Sequence, residues 1–153
     1  MKVLAPGKLL LTGAYAVLDG APAIVCAVDR YAVAEGGTID RHPSIEIRTA
    51  FELVPAPRVD VTQLFDRDQK LGLGSSAASL VAALGLEAAH AGESLDAAST
   101  REAIFERARN AHRKAQGGGS GVDIAASVHG GAIAYSVRDE ATTVRPVRLP
   151  QGL

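Results

Sequence analysis

The first half of the chain carries apolar residues in the patterns of β-strands. Residues 3–11 (VLAPGKLLL) are almost continuously apolar and predict a strand that is interrupted at Pro6-Gly7. Continuous or alternating apolar positions predict further strands over residues 23–28, 31–35 and 44–50. The stretch 51–70 has no clear period, and we expect it to be a loop.

From Ser75 the apolar residues recur at helical spacing instead. The pattern continues to a stop at Gly92 and predicts a buried, alanine-rich helix. Residues 99–102 (STRE) match a capping box and predict the start of a second helix. The remaining predicted elements are that helix over 100–115, a short helix over 122–128 and a strand over 132–137. Strands first and helices afterwards indicate a single α+β domain.

The composition excludes several classes of function. The 153 residues include 16 Lys+Arg and 17 Asp+Glu, which leaves no basic excess for binding nucleic acid. The single cysteine, Cys26, rules out an intrachain disulfide and a multi-cysteine zinc site, and favours a reducing compartment. No apolar run approaches the roughly 20 residues of a membrane span, and no secretory segment follows Met1. We therefore expect a cytoplasmic protein with no nucleic-acid or membrane partner.

The strongest local signal for chemistry is a glycine-rich turn that leads directly into the first predicted helix. Its residues are Gly72, Leu73, Gly74, Ser75, Ser76, Ala77 and Ala78. Glycines let the backbone approach an anion closely, and the amides and dipole of a helix N-terminus favour negative charge. The turn lacks the Gly-Lys-Ser/Thr ending of a Walker A loop. It predicts either a polyphosphate site or a tight turn with a serine N-cap.

Two charged residues are further candidates. Lys8 lies within an apolar strand, where a cation needs a partner or a cleft, although a lysine of an edge strand could also reach solvent. Asp123 follows the glycine-rich segment 117–121 and falls in the first turn of the short predicted helix. It could simply cap that helix. Together, the two residues could supply the cation and the carboxylate that phosphoryl transfer needs.

Taken in order, three segments resemble the motifs of the GHMP kinases. They are residues 6–18 (PGKLLLTGAYAVL), 72–78 (GLGSSAA) and 119–123 (GSGVD). The resemblance spans nearly the whole chain and, through residues 70–78 and 111–117, looks closest to the phosphomevalonate kinases of that family. It implies that residues 1–153 are the N-terminal, ATP-binding domain, with the ribosomal protein S5 domain 2-like fold.

The same resemblance implies roles for individual residues. The phosphates of ATP would lie over the turn from Gly72 to Ala77, with Ser76 near Mg²⁺. Lys8 and Asp123 would be the catalytic residues flanking the acceptor. The acceptor site would also include His112, Ser120 and Gly121.

The chain departs from the family pattern at three places. His112 stands where mevalonate kinases typically carry a Glu that helps hold Mg²⁺, which argues against a plain mevalonate kinase. It could contact a phosphorylated acceptor or be a histidine of the helix surface. Ala14 stands where family members commonly have Glu. The glycine-rich motif of a C-terminal domain is absent, so we expect that domain to be missing from this chain, and a partner chain or self-association could cover the face it would meet.

The resemblance predicts an ATP- and Mg²⁺-dependent kinase of the mevalonate route to isoprenoids. Its acceptor would be a small phosphorylated molecule, phosphomevalonate, and its product diphosphomevalonate. One alternative is a mevalonate kinase or another GHMP small-molecule kinase. The other is a truncated, non-catalytic phosphate-binding domain, in which case the fragment alone would be inactive.

Overall fold

A computed structural model describes residues 1–52 and 54–150 of the chain, so the last three residues of the predicted domain lie outside the description. The strands are β1 (Lys2–Thr12), β2 (Ala23–Ile39), β3 (Pro57–Asp60), β4 (Phe65–Asp66), β5 (Gln69–Lys70), β6 (Ala132–Arg138) and β7 (Ala141–Pro146). The α-helices are α1 (Ile45–Ala50), α2 (Ser75–His90), α3 (Ala98–Gln116) and α4 (Val122–His129). Short 3₁₀ turns cover Ala16–Asp19 and Thr62–Leu64. The predicted α+β class is confirmed.

Strand β2 organises the antiparallel sheet because it is long enough to pair with three other strands. One edge pairs with β1, while the other pairs with β6 near its start and with β3 near its end. Strand β7 extends the sheet beyond β6, giving the order β1-β2-β6-β7. The directly opposed pairs Val3↔Ala34 and Ala5↔Ala32 are all buried and face the core.

Helix α2 is the centre of the core. Every residue from Ala77 to Leu86 is buried, because β1 and β2 lie against one side of the helix and the other helices pack around it. Its small side chains allow this all-round packing. None of the helices in the described ranges is long and apolar enough to cross a membrane.

The stretch 44–50, predicted as a strand, is the helix α1. Ser44 caps it, since its Oγ accepts a hydrogen bond from the amide of Ile47 at 3.4 Å. Ile47 is buried while Ile45 is exposed, so the alternating pattern did not mark the two faces of a strand. A run this short fits either period, and the capping serine decides in favour of the helix.

Other local predictions were also wrong. Segments 23–28 and 31–35 belong to one strand, β2, and the region predicted as loop contains β3 and the small hairpin β4–β5. Strand β7 was not predicted at all. The capping box does not form, because the N-cap of α3 is Ala97 and Thr100 is buried within the helix. Two- to four-residue strands carry too few positions to show a period, so only tertiary pairing reveals them.

Candidate active site

The turn before α2 leaves backbone amides free to bind an anion. Gly74 is the N-cap in a left-handed conformation, with φ of 72°, and no side chain caps the helix. The amides of Ser75, Ser76 and Ala77 therefore have no carbonyl acceptor within α2. Because the cap is a glycine, the alternative of a serine N-cap is wrong. The amides line an open pocket of about 250 Å³.

Lys8 reaches the same pocket from strand β1. Its ammonium lies 3.2 Å from the Oδ1 of Asp123, and the two side chains are 15% and 34% exposed. The lysine is thus paired inside a pocket rather than extended into solvent from a sheet edge. Asp123 occupies the first turn of α4 and uses its carboxylate in this ion pair. The two charged candidates of the sequence are therefore direct neighbours.

A backbone contact fixes Lys8 against the glycine-rich turn. The register of β1 with β2 shifts between Pro6 and Lys8, which confirms the irregularity predicted at Pro6-Gly7. Beyond this bulge, the amide of Lys8 donates to the carbonyl of Leu73 at 2.9 Å. A Cβ at Gly7 would lie only 2.8 Å from that same carbonyl oxygen, so the approach requires glycine.

Gly74 also makes room for the ion pair. A Cβ there would come within 3.0 Å of Cγ of Lys8 and within 3.7 Å of Oδ2 of Asp123. The lysine side chain therefore passes directly beside the N-terminus of α2. The ammonium of Lys8, the carboxylate of Asp123 and the unpaired amides of α2 therefore line the same pocket.

The glycine-rich segment 117–121 is held by the protein itself. The carbonyl of Ser120 accepts a hydrogen bond from the hydroxyl of Tyr135, a residue of β6 with no exposed surface. Burial raises the pKa of Tyr135 to about 12, so the hydroxyl remains a donor at neutral pH. The Oγ of Ser120 accepts from the amide of Val122 at 3.3 Å. Gly121, the N-cap of α4, sits over Tyr135 and the side chain of Arg109.

The structure does not bring every predicted residue into one pocket. The residues of the turn from Gly72 to Ala77 line it together with Lys8, His112 and Asp123. Ser120 instead lines a neighbouring cavity of about 500 Å³ with Arg109 and Arg113 of α3. Gly121 lines neither of these cavities.

The sequence assigned no role to three residues at this pocket, although two of them lie in the segments 70–78 and 111–117 that carry the family resemblance. Lys70 and Gln116 line the pocket. The third residue, Glu46, is 5% exposed, and its carboxylate accepts a hydrogen bond from the side-chain Nε2 of Gln116 at 2.9 Å. Burial opposes the ionisation of Glu46, but hydrogen bonds from Gln116, its own backbone amide and Ser44 outweigh it and lower its pKa. Lys70 lies two residues before Gly72 and Gln116 follows His112 by four residues, so spacing could have indicated both.

His112 forms part of the pocket wall on α3. Its Nδ1 is buried without a hydrogen-bond partner among the residues described, and its ring lies beside Gly119. The histidine is therefore not simply on the solvated surface of the helix. Lys8, Lys70 and His112 surround a space in which Asp123 is the acidic member of the wall.

The described part of the chain contains no cluster of three or more His, Cys, Asp or Glu that could hold a metal by itself. A magnesium ion, however, typically uses one or two carboxylates together with substrate phosphates. Asp123 and Ser76 line one pocket, where they offer one carboxylate and one hydroxyl as metal ligands. The donor set fits a metal that arrives with a phosphate ligand.

Comparison with known families agrees with this architecture. The family model described as GHMP kinases N terminal domain matches residues 24–131. The α+β scaffold that carries Asp123 and the unpaired amides of α2 is therefore a kinase-type domain. The chain is a member of the GHMP kinase N-terminal domain family, which confirms the predicted resemblance to that family.

Several individual proteins are similar. A phosphomevalonate kinase of Streptomyces sp. (strain CL190) is 34% identical, and the match covers 90% of this chain and 50% of that protein. A mevalonate kinase of Archaeoglobus fulgidus is 30% identical, over 88% of this chain and 52% of that protein. The chain thus spans about half the length of the curated relatives it matches.

Solved structures share the fold. The Lin0012 protein of Listeria innocua superimposes with a TM-score of 0.73 at 27% identity, covering 91% of this chain and 49% of that one. A Streptococcus pneumoniae phosphomevalonate kinase, in complex with phosphomevalonate and AMPPNP, gives a TM-score of 0.81 at 18% identity. That match covers 97% of this chain and 59% of the other.

Proposed function

We propose that this chain is the ATP-binding domain of a kinase that phosphorylates phosphomevalonate to diphosphomevalonate. The observation that carries the proposal is the Lys8–Asp123 ion pair, 3.2 Å long, beside the uncapped N-terminus of α2. Phosphoryl transfer depends mainly on positioning and on stabilising negative charge, and this pocket offers both.

The amides at the start of α2 would bind the phosphates of ATP. Ser75, Ser76 and Ala77 each present an N–H without a helical acceptor, and the helix dipole adds to the attraction. Ser76 and Asp123 would hold Mg²⁺, which would neutralise charge on the nucleotide phosphates. Lys70, at the rim of the same pocket, adds a second cation.

Lys8 would stabilise the charge on the phosphoryl group during transfer. The bond between the γ-phosphorus and the oxygen that leaves with ADP breaks, and a bond from an acceptor oxygen forms. Because an acceptor phosphate is already ionised near neutral pH, Asp123 need not remove a proton. Its 3.2 Å contact instead holds the ammonium of Lys8 in place.

The charges of the pocket favour a phosphorylated acceptor. Two lysines line it with one aspartate, an excess of positive charge that suits a second dianion beside ATP, and His112 adds a hydrogen-bonding side chain. The 34% sequence identity to a protein named phosphomevalonate kinase supports the same acceptor. Mevalonate is the second candidate, since a relative of similar identity is named mevalonate kinase.

We further propose that a second domain completes the acceptor site. The support is that the relatives are about twice as long as this chain. This second domain would be either part of a longer protein or a separate chain that binds to this one.

A product assay tests the proposal. ATP and Mg²⁺ are supplied with phosphomevalonate or with mevalonate, and ADP release is followed with the chain alone and with any C-terminal domain encoded beside it. We expect turnover with phosphomevalonate. Turnover with mevalonate alone would reject the proposed acceptor, and ATP binding without any transfer would favour a non-catalytic phosphate-binding domain.

Substitution of Lys8 gives the sharpest form of this assay. Lys8→Met should lower kcat at least about a thousandfold, because it removes charge stabilisation from a partly dry site. Lys2→Met is the matched control, since Lys2 lies in the same strand and pairs with Glu35 at the surface. Equal activities of the two variants would contradict the role of Lys8.

A further inference from the structure

Glu46 is a buried acid that the proposed mechanism does not use. It is 5% exposed and lies in the first turn of α1, a short helix that packs against α2 and α3. A charged side chain is rarely buried unless hydrogen bonds replace the water that it loses. Glu46 has such bonds, and one of them leads to the pocket around Lys8.

The partner of Glu46 on another helix is the side chain of Gln116. Oε1 of Glu46 accepts a hydrogen bond from Nε2 of Gln116 at 2.9 Å, although the two residues lie 70 positions apart in the chain. A carboxylate has no hydrogen to donate, so it can bind the NH₂ end of a carboxamide but not the carbonyl end. Glu46 therefore selects one of the two orientations of the Gln116 amide.

Gln116 belongs to the pocket wall. It is the last residue of α3, about one helical turn after His112, and both residues line the pocket. Gln116 is exposed, and an exposed glutamine at a helix end samples several rotamers unless a contact fixes it. The hydrogen bond to Glu46 orders this side chain before a ligand binds.

We propose that Glu46 is a positioning residue of this pocket, because it holds the carboxamide of Gln116 in place beside the space that the ligand occupies. A side chain that is already ordered loses less conformational entropy on binding, so the ligand binds more tightly. Glu46 does not line the pocket itself and acts through Gln116. The inference rests on the proposed function for the identity of the ligand, ATP with Mg²⁺.

The charge of Glu46 gives the test a definite sign. Burial raises the pKa of Glu46, but hydrogen bonds from Gln116, its own backbone amide and Ser44 outweigh burial and lower the pKa, so the carboxylate is ionised at neutral pH. By electrostatics alone, removing this charge near a phosphate site would strengthen nucleotide binding. Glu46→Gln also removes the preference for one orientation, since a second carboxamide can either accept or donate. Loss of positioning therefore predicts weaker binding instead.

Calorimetry with AMPPNP and Mg²⁺ measures this effect. We expect Glu46→Gln to weaken binding about fivefold, which is the scale of ordering one long side chain. In a chain that carries Gln116→Ala, the same change should not weaken binding, because no carboxamide remains to be positioned. Unchanged or tighter binding after Glu46→Gln, or an equal loss in both backgrounds, would overturn the proposal.

Ser44→Ala is the control for an effect through the stability of α1. It removes the hydroxyl that caps the helix at the amide of Ile47 but keeps both members of the Glu46–Gln116 pair. We expect the domain to lose stability while its affinity for AMPPNP with Mg²⁺ stays close to that of the unaltered chain. A loss of affinity as large as that after Glu46→Gln would overturn the proposal, because it would assign the effect to the stability of α1.

NMR of the chain without nucleotide separates this inference from the proposed function. We expect the Nε2 protons of Gln116 to exchange with water about tenfold more slowly than those of Gln69, an exposed residue of β5, and to lose this protection in Glu46→Gln. Equal exchange at Gln116 and Gln69 would overturn the inference, even if Glu46→Gln failed to fold. Failure of the unaltered chain to bind AMPPNP would reject the proposed function, and the exchange rates alone would then decide whether Glu46 orders the pocket wall.

Discussion

The two glycine-rich segments look alike in the sequence but serve opposite purposes. The turn at 72–74 leaves the amides of α2 uncapped and open to a pocket, with Lys8 passing beside Gly74. The segment 117–121 is packed against the protein at its end, since Tyr135 holds the carbonyl of Ser120 and Arg109 lies under Gly121. Glycine leaves the backbone open to the pocket in the first segment, whereas Gly121 of the second lets the protein's own side chains pack against the backbone.

The largest effect that distinguishes the segments should come from Gly74→Ala. The new Cβ would meet Lys8 at 3.0 Å and force the ammonium away from Asp123, so we expect affinity for ATP·Mg²⁺ to fall about a hundredfold by calorimetry. Gly92→Ala is the control at the other end of α2, because Gly92 has a similar φ of 81° and open space around it. Both variants lose stability from left-handed strain, but only Gly74→Ala should lose the nucleotide.

The next largest effect concerns folding rather than binding. Gly121→Ala places a methyl group 3.2 Å from both the Tyr135 hydroxyl and Arg109 and should destabilise the domain by about 2–3 kcal/mol, counting the left-handed backbone. Gly130→Ala, with φ of 69° and no atom nearby, should lose only about 1 kcal/mol. Denaturant unfolding measures both. If Gly121→Ala cost no more than Gly130→Ala, the close packing of this segment would be refuted.

Tyr135→Phe removes a single hydroxyl from the second segment. The carbonyl of Ser120 then lacks its buried donor, and we expect a loss of about 1–2 kcal/mol in the free energy of unfolding. ATP affinity should stay unchanged, because Tyr135 does not line the pocket around Lys8. A substantial drop in ATP affinity would show that the two segments are not independent.

The smallest effect is a pH dependence at the junction of α3 with the second segment. The folded pKa of Glu46 is below its ordinary value of 4.5, so its ionised form stabilises the fold above that pH. This contribution is present at neutral pH and is lost as pH falls below 4.5 and through the lowered pKa of the folded state. Glu46→Gln should therefore differ most from the natural chain at neutral pH and converge with it in acid. A constant difference in unfolding free energy across this range would contradict the assignment.

The sequence predicted β1 and the helices α2, α3 and α4 because these elements carry local signals. The helical spacing after Ser75 and the apolar run of β1 are long enough to be unambiguous. The helix α1 was taken for a strand because six residues fit either period, and with it the position of Glu46 behind the pocket was lost. Strand β3 exists because the far end of β2 offers it an edge, which no local pattern shows.

The sequence predicted part of the set of residues that line the pocket. Lys8, Asp123 and the turn at 72–77 meet as expected, whereas Ser120 faces a different cavity because Tyr135 turns its carbonyl inward. Tyr135 lies in β6, a strand that its apolar pattern predicted. In that pattern a tyrosine cannot be distinguished from the other core residues, so its hydrogen bond was not foreseen. Its role depends on a contact across fifteen residues of chain.

An NMR titration of the labelled chain with AMPPNP and Mg²⁺ tests most directly whether the separate motifs form one phosphate site. We expect the amides of Ser75, Ser76 and Ala77 to shift together with those of Lys8 and Asp123, all with one midpoint. The amides of the segment 117–121 should shift least. Saturable shifts confined to that segment, or none at the start of α2, would contradict the account.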